Sequence, residues 1–193
     1  RPEAALDRGA APSTARGDTL NVSRDEAAVA RPAGRPAPVV GPGGLVMPVQ
    51  GVRPEDLVDT YTSLRGIGRS HDAIDILAPR GTPVLAASAG RVLRLFHSDR
   101  GGLTVYVLTG ADRRTVHYYA HLDSYAPGLS VGDEVRAGQV LGGVGDTGNA
   151  VPGNPHLHFA IWRIADPADF WEGAPVNPYP LLRGEDGGLR TED

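Results

Sequence analysis

The hydrophobic positions of this chain fall into short runs rather than into long helical repeats. Glycine or proline interrupts the chain between nearly all of these runs, which is typical of strands joined by tight turns. The pattern predicts an all-β domain, a compact antiparallel β-sheet or barrel-like fold with short helical turns. The runs, all within residues 73–162, are AIDIL, PVLAAS, RVLRLF, LTVYVLT, TVHYYAHL, QVLGGV and HLHFAIW.

The two ends of the chain lack this pattern. Residues 1–44 contain no aromatic residue and are rich in Ala, Pro, Gly and Arg. Such a segment cannot bury enough apolar surface to offset the loss of conformational entropy, so we predict a flexible, disordered tether. Residues 183–193 are Gly-rich and acidic and are predicted to be a flexible tail. The folded domain is therefore expected to span residues 45–182.

Composition narrows the classes of partner and ligand. The 193 residues carry a formal net charge of −4 with no basic stripe, so we expect no nucleic-acid partner. Cysteine is absent, so a metal ion would need His and carboxylate ligands. No apolar run is long enough to span a bilayer, so membrane attachment is expected only through an N-terminal anchor absent from this chain. We expect a monomer.

Three histidine-containing segments could carry chemistry. In NPHLHFAIW, strand alternation places His156 and His158 on one face with Cα atoms roughly 6 to 7 Å apart, although such pairs also arise by chance. In HDAIDI, His71 and Asp75 lie about 13 Å apart on an extended strand, so a shared ligand requires a bend near Asp72 and Ala73.

The third segment is VHYYAHLDSY, which contains His117 and His121. Both would share one face of a strand, together with Tyr119, but a rigid strand cannot bring both histidines to the same atom. We therefore expect at least one of them to be structural, and Tyr119 to be packed rather than bound to substrate. His97 is expected at the surface.

Two imidazoles and one carboxylate form a common zinc site in proteins that use no cysteine. Such a site leaves a position open where the metal activates water and polarises a carbonyl, and a further histidine can take the proton. The histidine segments therefore suggest metal-assisted amide hydrolysis.

The order of motifs resembles a known family. HDAIDILAPRGTPVLAASAGRV, YYAHL, VGDEVRAGQVLGGVGDTGN and PHLHFAI follow one another as in the lysostaphin-like, LytM-type zinc metallopeptidases that cut peptidoglycan, metallopeptidase family twenty-three. The resemblance covers about Leu45 to Leu182 and neither end. It implies a fold of the duplicated hybrid motif type, a Zn²⁺ cofactor and hydrolysis of peptide bonds in the peptidoglycan peptide.

The resemblance also implies a role for each site residue. His71, Asp75 and His158 would bind the zinc, while His121 and His156 would be the catalytic histidines. His117 lies outside the motifs and is expected to be an ordinary strand residue. This chain departs from the family at Ala73, where glycine is frequent: a positive φ there would be strained, whereas a simple bulge would not.

Two alternatives are considered beside the peptidase. A non-catalytic LytM-type regulator or wall-binding module that activates another hydrolase would have the same fold, but such proteins typically lack metal ligands, and this chain lacks none. VGDEVRAGQVLG also resembles biotinyl and lipoyl carriers and a phosphotransferase domain with paired histidines. The carriers need a modifiable lysine, and this chain has none; the phosphotransferase leaves Asp75 unexplained.

Location is inferred from the same features. The resemblance and the Ala/Pro/Arg tether suggest an envelope protein, periplasmic or extracellular, whose targeting segment is absent from this chain.

Overall fold

The computed structural model describes residues 37–64 and 70–184, which all belong to the unit Pro36–Asp193. Its strands are β1 Ile74–Leu77, β2 Pro83–Leu85, β3 Gly90–Ser98, β4 Gly102–Thr109, β5 Thr115–Tyr125, β6 Glu134–Val135, β7 Val140–Val144, β8 His156–Arg163 and β9 Ala174–Val176. Helical structure is limited, within the described residues, to the 3-10 turns Pro54–Asp56 and Pro167–Asp169 and the helix α1, Pro178–Arg183. The prediction of an antiparallel β fold with short helical turns is confirmed.

Every strand pair in the sheet is antiparallel. The strands follow the order β1-β8-β5-β4-β3-β6, with β9 beside β8, and β7 pairing with both β5 and β2. The long strand β5 pairs with β8 over its first part and with β7 over its last part. Across the described residues the sheet stays open and does not close into a barrel.

The core lies on the face of the sheet to which Tyr119 and Phe159 point. These two residues are directly opposite each other on β5 and β8, and both are fully buried together with Leu122 and Leu157. The Tyr119 hydroxyl accepts a hydrogen bond from the Ala87 backbone N–H at 2.8 Å, so its polar atom is satisfied inside the core. Burying side chains of this size contributes about 1.5 to 3 kcal/mol each. Tyr119 is therefore a core residue, as expected.

Two non-glycine residues near the histidine segments have left-handed backbone conformations. Asp72 has φ 52° and His121 has φ 62°, a region that is uncommon for residues other than glycine, although Asn, Asp and His are enriched there among the rest. At His121 the alternation of β5 breaks, and the register of β5 shifts against both β4 and β7. The His121 ring consequently leaves the core face. The prediction that His117, Tyr119 and His121 share one face is wrong for this reason.

Most of the predicted tether and most of the predicted tail lie outside the described residues. Within the described part, Val39 and Met47 are joined by a backbone hydrogen bond of 2.8 Å, and Gly43 N–H donates to the carbonyl of Leu181 at 2.9 Å. The domain boundaries placed at residues 44 and 182 stay predictions. No helix in the described ranges is long and apolar enough to cross a membrane.

Candidate metal centre and active site

His71, Asp75 and His158 converge on one point. Strands β1 and β8 pair in a register that places Asp75 opposite His158, and the two side chains meet with Asp75 Oδ1 3.1 Å from His158 Nδ1. His71 enters from the segment before β1, and its Nε2 lies 3.0 Å from Asp75 Oδ1 and 3.0 Å from His158 Nδ1. Three ligand atoms thus form a nearly equilateral triangle.

The bend between His71 and Asp75 is centred on Asp72. A regular strand would separate the two residues, but the left-handed φ of 52° at Asp72 turns the chain back so that both side chains face one site. Ala73 is fully buried and is not among the described residues with positive φ. The predicted bend is therefore present, and the strained position is an aspartate, which tolerates this conformation better than alanine does.

Thr60 supports two of the three ligands. The Nδ1–H of His71 donates to the Thr60 carbonyl at 2.9 Å, and the Thr60 hydroxyl accepts from the Asp75 backbone N–H at 2.9 Å. A carbonyl can only accept, so His71 carries its proton on Nδ1 and directs a lone pair from Nε2 toward the triangle. Sequence reasoning missed Thr60, since nothing in its local sequence marks it as a neighbour of His71.

The Asp75 carboxylate is held in its charged form. Burial by itself raises the pKa of this carboxyl, but its contacts with the His158 and His71 rings outweigh burial and hold the pKa well below its usual range. A carboxylate and two imidazole nitrogens at mutual distances near 3 Å suit a small cation between them. The arrangement is a group that could hold a metal ion.

His121 and His156 stand beside the triangle, and each is anchored through Nδ1. The Nδ1–H of His121 donates to the Thr147 carbonyl at 2.8 Å, and that of His156 donates to the Asn154 carbonyl at 2.9 Å. The two ring centroids are 4.9 Å apart, and His156 Nε2 is 3.9 Å from Asp75 Oδ1. When a ring anchored in this way is neutral, its lone pair is on Nε2, where a proton can be accepted.

Burial lowers the pKa of His121 to about 4, against the raising effects of the Thr147 carbonyl and of Asp75. At neutral pH His121 is thus an uncharged imidazole. Thr147 is itself fixed, because its hydroxyl donates to the Leu122 carbonyl at 2.7 Å and accepts from the Leu103 N–H at 3.0 Å. Position and charge state of His121 are both set by its surroundings.

Two cavities open on either side of the histidines. One has a volume of about 290 Å³ and is bordered by His71, His158 and Tyr118; the other, of about 520 Å³, is bordered by Asp75, His156 and apolar side chains. His121 and Asn149 border both cavities. The two cavities thus share part of their border, and between them they adjoin all five site residues.

The remaining candidates fall outside the site. His117 is buried against Phe159 with ring centroids 5.6 Å apart, and His97 is exposed on β3. Sequence reasoning considered Tyr119, whereas its neighbour Tyr118 reaches the site, with its ring centroid 6.0 Å from that of His158. The left-handed backbone at His121 turns its ring away from the face of Tyr119 and onto the face of Tyr118. No local sequence signal reveals this conformation.

Comparison with known proteins agrees with this geometry. The family model described as Peptidase family M23 matches residues 69–178, more than half of the chain. The chain therefore belongs to peptidase family M23, and the resemblance to lysostaphin-like and LytM-type enzymes is confirmed. The matched residues include all five of the predicted site positions.

Two relatives illustrate the similarity, an endopeptidase and lysostaphin. The chain is 34% identical over 131 residues to an L-Ala--D-Glu endopeptidase of Bacillus subtilis, covering 64% of this chain and 38% of the relative. It is 34% identical over 128 residues to lysostaphin of Staphylococcus simulans, covering 64% of this chain and 24% of that protein. This chain thus spans well under half the length of both proteins.

A solved structure shows the same fold. The catalytic domain of the prophage-encoded M23 protein EnpA from Enterococcus faecalis, solved as a point mutant, superimposes with a TM-score of 0.52 at 30% sequence identity. The match covers 63% of this chain and 87% of that domain. The similarity thus extends over nearly the whole of a catalytic domain of the family.

Proposed function

We propose that this chain is a zinc-dependent endopeptidase that hydrolyses peptide bonds in peptidoglycan. The observation that carries the proposal is the triangle of His71 Nε2, Asp75 Oδ1 and His158 Nδ1 with two carbonyl-anchored histidines beside it. A structural cluster would not need five such groups at one place. The similarity to an L-Ala--D-Glu endopeptidase and to lysostaphin supports the substrate class.

The donor set fits zinc. Zinc accepts imidazole and carboxylate ligands with bonds of about 2.0 to 2.2 Å, so tetrahedral ligand atoms lie roughly 3.3 Å apart. The ligand atoms here are separated by 3.0 to 3.1 Å, close to that value. When bound, zinc would lower the pKa of a water molecule and polarise the substrate carbonyl. His71, Asp75 and His158 would hold it.

His121 and His156 would handle the proton and the developing charge. A neutral imidazole whose Nδ1–H is held by a carbonyl accepts a proton at Nε2, so either ring can act as the general base for the attacking water. Once protonated, Nε2–H donates to the next acceptor, which allows return of the proton to the leaving amine. The other ring can stabilise the negative charge that develops on the carbonyl oxygen.

The complete ligand set disfavours the alternative of a non-catalytic regulator. We further propose that the protein acts as a monomer in the cell envelope, in the periplasm or outside the cell, where peptidoglycan is its partner. Cell fractionation of the full-length product and light scattering of the purified chain test these two points.

The decisive experiment is digestion of purified peptidoglycan, with released muropeptides identified by mass spectrometry. We expect cleavage that stops with a chelator and returns with zinc, one zinc per chain, and neither zinc nor cleavage in Asp75→Ala. The matched control is His97→Ala, at an exposed histidine outside the site, which should keep both. Cleavage by Asp75→Ala would overturn the metal assignment, and stoichiometric zinc without any cleavage would favour the regulator.

A further inference from the structure

The two cavities beside the histidines differ in charge. The 520 Å³ cavity is bordered by Leu57, Val58, Leu77 and Val151, and the acid at its edge, Asp56, is paired with Arg53. Among the described residues, the border of the 290 Å³ cavity has no such apolar wall and includes one cationic residue, Arg100. Aside from the ligand cluster, the described border of this smaller cavity contains no acidic residue to neutralise that charge.

The backbone that bears Arg100 is tied to the active site. The carbonyl of Arg100 accepts a hydrogen bond from the Asn149 N–H at 3.0 Å, and the carbonyl of Gly101 accepts from the His121 N–H at 2.8 Å. Gly102 follows with φ 62°, and a Cβ there would collide with Thr147, the residue that anchors the His121 ring. The backbone of Arg100 is therefore held at a constant position relative to His121.

The Arg100 guanidinium is one of several in the described residues that have no acidic or carbonyl partner. Across residues 37–64 and 70–184 it makes no hydrogen bond or ion pair, and Arg100 is an exposed residue at the border of the smaller cavity. The arginines that do have acidic or carbonyl partners are Arg53, Arg80, Arg113, Arg163 and Arg183. An unpaired guanidinium in a substrate cavity is a ready donor to a carboxylate, which it can bind through two parallel hydrogen bonds.

We propose that Arg100 is a specificity-determining residue that binds a free carboxylate of the substrate in the smaller cavity. The proposal rests on the proposed function and deepens it, because it selects acidic stem peptides over uncharged glycine bridges as the substrate class. A glycine bridge offers no side-chain carboxylate, whereas stem peptides that contain glutamate do. The apolar side chains of the larger cavity accommodate the peptide on the other side of the bond that is cut.

The test compares one substrate in two charge states. A cross-linked stem-peptide dimer is prepared with its side-chain carboxylates free and with the same groups converted to carboxamides, and pentaglycine serves as a neutral reference. The zinc-loaded wild type should cleave the acidic dimer with a kcat/KM roughly 10- to 100-fold above that of the amidated dimer, as expected for a charge-assisted hydrogen bond. Added salt should reduce this preference, because the cavity is open to solvent.

Variants assign the preference to one side chain. Arg100→Gln should lower kcat/KM for the acidic dimer to the level of the amidated dimer while leaving the latter within about twofold, and Arg100→Lys should keep part of the preference. Arg114→Gln, at an exposed arginine immediately before β5, is the matched control and should behave as wild type. Thermal unfolding of each variant confirms that it is folded.

Binding of both dimers to chelator-treated protein, measured by calorimetry, separates the two proposals. A wild-type preference that disappears in Arg100→Gln, whether in cleavage or in binding, supports the role of Arg100 even if no bond is cut. Equal affinity and equal cleavage of both dimers by wild type, or an unchanged preference in folded Arg100→Gln, overturns that role while leaving the peptidase intact. Stronger activity on pentaglycine than on the acidic dimer also overturns it.

Discussion

His121 and His117 are four residues apart on β5, and they show which properties mark a functional histidine. Burial lowers the pKa of each ring to about 4. Nδ1 of His121 donates to the Thr147 carbonyl, whereas Nδ1 of His117 is buried and has no hydrogen-bond partner among the described residues. The two histidines therefore share burial and a lowered pKa, but only His121 has its Nδ1 proton held by a hydrogen bond. A fixed tautomer separates the two histidines better than their acidity does.

The surroundings of the two rings differ in the same way. His121 borders both of the cavities that adjoin His71, Asp75 and His158. His117 borders a separate cavity of about 710 Å³, the largest of the three. Among the described residues, the border of this cavity includes Leu108, Ile161 and Val176 and no other histidine. Size does not identify the active site in this protein; the convergence of several anchored polar groups does.

The largest expected effect comes from replacing the two histidines in turn. His121→Gln should retain one zinc per chain but lose about 10²- to 10⁴-fold in kcat/KM, because a positioned proton acceptor is removed. His117→Gln should retain zinc and activity within about twofold. Muropeptide release and metal analysis of both purified variants check this. An equal loss of activity in folded His117→Gln would remove the distinction between the two rings.

The second effect is a pH dependence of stability due to His117. Its pKa is about 4 in the folded protein and about 6.5 when unfolded, so between these pH values the unfolded chain binds more protons. The contribution of His117 to the free energy of unfolding is therefore greatest above about pH 6.5. It decreases as the pH falls, and at pH 4 the free energy of unfolding is lower by about 3 kcal/mol.

Urea unfolding of wild type and His117→Gln, from pH 7 to pH 4 in the presence of chelator, measures this contribution. His121 titrates in both proteins and cancels in the comparison. The wild type should lose about 3 kcal/mol more than the variant over this range. Parallel stability curves for the two proteins would show that His117 does not stay neutral in the folded state.

How far the sequence could predict this site depends on the regularity of each strand. On β8 the alternation is regular, so His156 and His158 were correctly predicted to share a face, with Leu157 and Phe159 in the core. On β5 alternation fails at His121, where a left-handed non-glycine residue is held by tertiary contacts rather than by local preference. Sequence reasoning therefore placed Tyr119, and not Tyr118, beside His121.

Short elements escaped prediction for a related reason. Strands β6 and β9 are two and three residues long, and each exists only because a longer strand, β3 or β8, offers it an edge. Thr60 likewise supports His71 from a segment eleven residues earlier in the chain. The polar ligands could be identified because their chemistry is specific, whereas their supports depend on contacts that only the folded chain makes.

The smallest effect concerns the bend that brings His71 to the ligand triangle. Asp72→Ala should lower the free energy of unfolding by about 1 kcal/mol, because alanine is disfavoured at a φ of 52°, while Asp72→Asn should be nearly neutral. Ala73→Gly, which introduces the residue frequent in the family, should also destabilise by about 0.5 to 1 kcal/mol, since the strain is not at position 73 and glycine increases the entropy of the unfolded chain. Urea unfolding measures all three variants. Stabilisation by Ala73→Gly would instead locate the strained position at Ala73, and the bend would then differ from the one that aligns His71 with Asp75.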